Sequence, residues 1–204
     1  METQLDAQRL VSILLIASFV VMVLAMPFGV PGYYQTQDVG ERLQLVAQYR
    51  TRWDITKGLI YLWSILSVAG VVVLAIYLRR KGARTTAALA VLSLVLGSVA
   101  YFLVNYTQQF DLSGYLAGTY PDYHVYGNWL VLAGLLLLGV AFMQAGFALW
   151  LSYLTIAAAV VPAAVLLIWP GLYWLIPFVP YLPLLLLIGI VLLRKQTPAN
   201  LSLA

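Results

Sequence analysis

The side chains best suited to chemistry gather in one stretch, "NYTQQFDLSGYLAGTYPDYHVYGNW", residues 105–129. It holds five tyrosines, two aspartates and the only histidine of the chain, with no lysine or arginine. His124 beside Asp122 offers a pH-sensitive pair or a single axial ligand for a metal or pigment; the plain alternative is a packed or surface histidine. Tyr106, Tyr126 and Trp129 lie near predicted helix ends, where an aromatic ring sits among headgroups with its polar atom wet. Tyr115, Tyr120 and Tyr123 fall inside a predicted loop of about twenty residues, a length at which loops are commonly functional. With His124 they form the expected docking surface for a partner.

A second candidate is the segment "WLIPFVPYLPLLLL", residues 174–187. Pro177, Pro180 and Pro183 each remove a backbone donor and disturb the carbonyl four residues earlier. The sequence therefore predicts a departure from regular helix between Leu175 and Pro183. Broken helices at membrane depth can present carbonyls to a ligand, the alternative being a kinked helix packed on its neighbours. Pro177, Pro180 and Tyr181 are the candidate ligand-binding residues here. Gln144 joins them, because a primary amide in hydrocarbon needs a partner; an interhelical hydrogen bond is the simpler reading.

Other chemistry has little support. Zero cysteines remove thiolate metal sites, disulfides and Cys nucleophiles. One histidine leaves no multi-histidine metal set, and no HExxH or phosphate-binding glycine loop occurs. A non-enzymatic protein is expected, and the sequence names no cofactor.

The elements that must position these residues follow from composition. The chain has 204 residues, 63% hydrophobic and 9% charged, against roughly 25% charged in soluble domains. Apolar runs of about 20 residues are read as membrane spans. The expected fold is an all-α, polytopic transmembrane helical bundle forming one domain. Its six spans are placed at about 10–30, 57–78, 85–106, 128–147, 152–169 and 172–193. Residues 129–168 carry no charge, and a helix of that length would be about 60 Å long, so a reversal is placed near Gly146.

The hairpin "RRKGAR", with Arg79, Arg80, Lys81 and Arg84, is taken to set topology. With Arg9 and the C-terminal Arg194 and Lys195 on the same side, the chain reads as N-in, C-in. The net charge of +4 is thereby assigned to orientation, with no nucleic acid expected. All eighteen charged residues are placed outside the spans or at their ends, Lys57 being counted with the outer loop. In loop one, Val39, Leu43, Val46 and Trp53 fall near one side of a helix, which predicts a short amphipathic outer helix. Its cations, with Asp111 and Asp122 of the tyrosine stretch, suggest that the two outer segments pair into a cap.

The short six-span layout, the large first outer loop, the Arg/Lys hairpin and the terminal "LIGIVLLRK" resemble small bacterial membrane proteins grouped as a domain of unknown function. That resemblance implies a bacterial inner (cytoplasmic) membrane and carries no activity. The expected role is an accessory or structural subunit that binds protein partners, or its own copies, through helices and outer loops. The alternative is a carrier or binding protein for a neutral or lipophilic small molecule (lipid, quinone or pigment) built around the proline-broken sixth helix.

Overall fold

The computed structural model describes residues 2–172 and 178–194. Among them the chain forms eight α-helices and no strand. In order these are α1 (Glu2–Ala25), α2 (Val39–Gln48), α3 (Arg50–Arg80), α4 (Arg84–Phe110), α5 (Leu112–Leu116), α6 (Tyr123–Gln144), α7 (Leu149–Ile168) and α8 (Phe178–Arg194). Helices α1, α3, α4, α6 and α7 are long and apolar enough to cross a membrane. The seventeen residues of α8 reach about 25 Å.

Local chemistry sets the boundaries. Pro27 stops α1 at Ala25 and turns the chain through a 3-10 segment, Met26–Phe28, so the first helix ends earlier than the expected residue 30. Asp38 caps α2 by accepting the Glu41 N–H at 2.7 Å. A break at Tyr49 then separates α2 from α3. The second long helix thus begins seven residues before the expected Lys57, because Arg50 and Asp54 pair one turn apart at 3.0 Å on its exposed first turns. Between α6 and α7 the chain reverses at Gly146, whose φ of +70° is left-handed and suits a residue without Cβ. The expected 128–147 and 152–169 become Tyr123–Gln144 and Leu149–Ile168.

The predicted loop 106–127 is mostly helical. Helix α4 runs on to Phe110, Asp111 caps α5, and Asp122 caps α6 by accepting the N–H groups of His124 and Val125. Tyr123 and His124 therefore stand on the first turn of α6.

Residues 178–183 are helical, against the expected irregularity. Pro180 is the third residue of α8, where no backbone N–H is needed, so only Pro183 removes an internal hydrogen bond. Residues 175–177 of that expectation lie outside the described residues.

The long helices pack as a ring in the order α1, α3, α4, α6, α7, α8, with α8 closing back onto α1. Glycine permits the tightest seam. A Cβ on Gly97 of α4 would stand 3.1 Å from the Val131 N and 3.2 Å from the Gly127 O of α6. The backbones meet there because nothing intervenes, the usual solution where helices lack a hydrophobic drive to associate. Ser93 adds a hydrogen bond across the same seam, to the Leu130 carbonyl at 2.8 Å.

Candidate functional site

Helix α3 carries Lys57 into the bundle, where the side chain is only 4% exposed. Its Nζ donates to Asn105 Oδ1 at 2.9 Å and to Gln108 Oε1, both on α4. The Trp53 ring covers the ammonium at 4.4 Å, a cation–π contact of about 2 kcal/mol when desolvated. Lys57 lies near the N-terminal end of α3, roughly 34 Å along the helix from Arg80. Reading it as an outer-loop cation is therefore corrected: it is a buried side chain of α3 held by neutral amides and a ring. Trp53, Lys57, Ile60 and Ser64 share the inward face of one continuous helix, and that spacing was the available signal.

The polar cluster continues into α6. Asn105 Nδ2 donates to the Tyr101 carbonyl at 2.9 Å, and the Tyr101 hydroxyl bonds the buried Asn128. His124 packs edge-on against Tyr101, with ring centroids 6.0 Å apart, and its Nε2 meets the Tyr115 hydroxyl at 3.1 Å. Asp122 serves the backbone, so the expected His124–Asp122 pair becomes a histidine–tyrosine pair. The Lys57, Asn105, Tyr101 and Asn128 side chains are all buried and polar, and their mutual bonds satisfy atoms that water does not reach.

Over this cluster lies a cap. Val30, Tyr33, Val46 and Trp53 form a small apolar core on which Leu112 of α5 packs. The two outer segments do meet, but not through opposite charges. Arg42 donates to the Thr36 carbonyl and lies over the Tyr33 ring, while Arg52 donates to the Pro27 carbonyl. Asp111 accepts from the Tyr120 hydroxyl at 2.7 Å and from the Gly114 N–H at 2.9 Å, which hold its carboxyl below the usual range. Burial, chiefly, pushes the Tyr33 hydroxyl well above its ordinary value. Of the expected docking residues, Tyr115 and His124 point into the cluster, Tyr120 braces α5, and Tyr123 is half-buried.

A different kind of site separates α7 from α8. These consecutive helices touch sparsely and leave an apolar cleft of about 530 Å³. Ala157, Ala158, Val161 and Pro162 form one wall; Pro180, Pro183 and Leu187 form the other. Pro162 supplies no N–H, so the Ala158 carbonyl loses its usual helical donor at the cleft wall. Pro183 does the same to the Val179 carbonyl.

The expected ligand residues divide around this cleft. Pro180 lines it, and Pro177 lies outside the described residues. Tyr181 is buried on the other side of α8, with its ring 6.5 Å from Trp63. Gln144 ends α6, exposed, and accepts from the Thr86 hydroxyl of α4, the interhelical hydrogen bond of the simpler reading, and it does not line the cleft. Gln8, absent from the sequence candidates, ties α1 to α8 through the Leu192 carbonyl at 2.7 Å and meets Tyr77 of α3. Arg79, Arg80, Lys81 and Arg84 stand exposed together at the α3–α4 turn. No protein-family model matches the chain, and no curated protein or solved structure matches it.

Proposed function

We propose that this chain is an integral membrane protein that binds a neutral lipophilic molecule between α7 and α8. In this reading α8 makes a sixth crossing, the Arg79–Arg84 turn and both termini face the cytoplasm, and the membrane is a bacterial inner membrane. The α7–α8 cleft carries the proposal. Its volume falls in the range of small-molecule sites, and the wall residues are aliphatic or proline. A charged ligand would be desolvated there without a counter-charge, so the occupant is neutral. The carbonyl of Ala158, relieved of its helical donor, matches a ligand that carries a hydroxyl on an apolar chain.

The test uses a photoactivatable long-chain alcohol, with the corresponding hydrocarbon as comparison, on protein in lipid nanodiscs. Crosslinks concentrated on α7 and α8, stronger for the alcohol and abolished by Ala158→Phe, support the site. Crosslinks spread evenly over the lipid-facing sides of α1 and α3 sink it. The accessory-subunit reading draws on the cap, where Tyr34 and Phe110 are 72% and 71% exposed. A stoichiometric co-purifying protein lost on Tyr34→Ala and Phe110→Ala would favour that role instead.

A further inference from the structure

The opposite side of the ring has a feature unrelated to the cleft. Arg79 and Arg80 end α3, Arg84 begins α4, and the three surround a depression of about 360 Å³ floored by Ile76. Among the described residues the one ion pair is Arg50–Asp54, and no described carboxylate pairs with these arginines. Their guanidinium forks suit bidentate contact with phosphate oxygens.

Helices α3 and α4 run antiparallel from this turn, and further along the same pair lies a shallow apolar groove of about 370 Å³. Ala69 and Val95 line that groove. Between groove and depression, Val72 and Ile76 are exposed on α3. Residues 69, 72 and 76 recur at helical spacing, so they form one stripe leading away from the arginines. Ala69 is eleven residues from Arg80, about 16 Å along the axis. One leaflet of the hydrocarbon core is about 15 Å deep. The distance between the charged depression and the groove thus equals the reach of an acyl chain whose headgroup sits at the interface.

We infer that the α3–α4 face is a specific binding site for one anionic phospholipid. The phosphate lies among Arg79, Arg80 and Arg84; one acyl chain follows Ile76 and Val72 and ends at Ala69 and Val95. The inference shares only the membrane setting with the proposed function. A zwitterionic lipid brings a cationic choline toward the same arginines, and a free phosphate forgoes the apolar stripe. Lys81 lies in the same turn but belongs elsewhere, with its Nζ 6.0 Å from the Tyr77 ring centroid and outside the lining of the depression.

The experiment is native mass spectrometry of detergent-purified protein with phosphatidylglycerol, phosphatidylcholine or soluble glycerol phosphate. The expected result is retention of one phosphatidylglycerol in preference to phosphatidylcholine, with no glycerol phosphate bound. Arg80→Gln and Arg84→Gln should each weaken it roughly fivefold, the contribution of one basic residue near a charged lipid surface. Val72→Asp should weaken it with all four cations present, and Lys81→Gln should leave it unchanged. Each single arginine variant keeps three cations at the turn, so orientation in the membrane is preserved. Equal loss on Lys81→Gln, equal retention of phosphatidylcholine, or binding of glycerol phosphate alone would overturn the inference. An unaltered affinity in Val72→Asp would overturn the acyl-chain track.

Discussion

Lys57 gives the sharpest energetic prediction, because the two ways of breaking its contacts should differ. Replacing Lys57 by Met keeps the length and removes the charge. The Asn105 and Gln108 carbonyl oxygens then lose a donor, at about 1–3 kcal/mol for each buried group left unsatisfied. The same change removes an ammonium whose burial carries a desolvation penalty of several kcal/mol. The two nearly cancel, and Lys57→Met should shift stability by no more than about 2 kcal/mol. At a pH acid enough to keep the amine charged, Asn105→Leu leaves the ammonium with half of its amide contacts gone, which should cost about 3–5 kcal/mol. In the double variant the uncompensated charge is absent, so part of the Asn105→Leu loss should return as a coupling of roughly 2 kcal/mol. Reversible unfolding in mixed micelles, followed by circular dichroism, measures all four species. If Lys57→Met is the more damaging change, or if the two effects add, the cluster is a net stabilising tie and the burdened-charge argument is wrong.

Gly97→Ala and Gly58→Ala should move stability in opposite directions. The first places a Cβ against the backbone of α6, costing about 1–3 kcal/mol, whereas the second meets nothing within 4 Å and should gain about 0.5–1 kcal/mol. Leu112→Ala should raise protease cleavage in residues 111–122 more than Tyr123→Ala, since Leu112 joins the Tyr33–Trp53 core; equal effects would return the cap to its tyrosines. The bonds to Asp111 favour its charged form, so their contribution is present above the unfolded value of about 3.9 and is lost as pH falls through the lower folded value. Proteolytic protection of the cap should accordingly persist through pH 5 and fall only in stronger acid; a loss already at pH 6 would show that the Asp111 bonds do not govern it. For orientation, Thr85→Cys and Ser113→Cys are exposed positions in a chain without cysteine, and an impermeant thiol reagent on intact cells should label only Ser113→Cys.

The long helices were legible because apolar length and chain breakers act locally: Pro27, Gly146 and the Arg79–Arg84 turn mark boundaries without reference to anything distant. The amphipathic α2 was legible for the same reason, through Val46 and its neighbours. What escaped depends on partners far along the chain. Lys57 reads as a loop cation until Asn105, forty-eight residues away, supplies its acceptor. Asp111 and Asp122 look like countercharges for the loop-one arginines, yet both are consumed by adjacent backbone N–H groups as caps, a local competition that charge counting does not register. Gln144 keeps its simpler reading, an interhelical hydrogen bond, since its amide oxygen accepts from Thr86 of α4; its place at the last residue of α6 lies away from the α7–α8 cleft. The prolines of the sixth apolar segment point to irregular backbone for a sound reason, but over residues 178–183 the chain is helical and a gap lies beside it.

The distribution of small residues explains why that gap falls where it does. Gly70 faces Leu15 across α1 and α3, Gly97 meets α6, Gly139 approaches the Ser152 carbonyl of α7, and Gly189 approaches the Ser12 carbonyl of α1. Three of these seams therefore close by near contact of backbones, where a Cβ would force the helices apart, whereas Gly70 makes room for the Leu15 side chain. At α7–α8 the facing positions carry Pro162, Pro180 and Pro183 instead. A proline ring holds the opposite wall away and at the same time withdraws a donor from the carbonyl one turn before it. The three prolines thus shape the volume of the cleft, and Pro162 also frees the Ala158 carbonyl on its wall. Separating α7 from α8 breaks few contacts, so in the proposed reading this seam is the lateral door by which a molecule dissolved in the bilayer reaches its site.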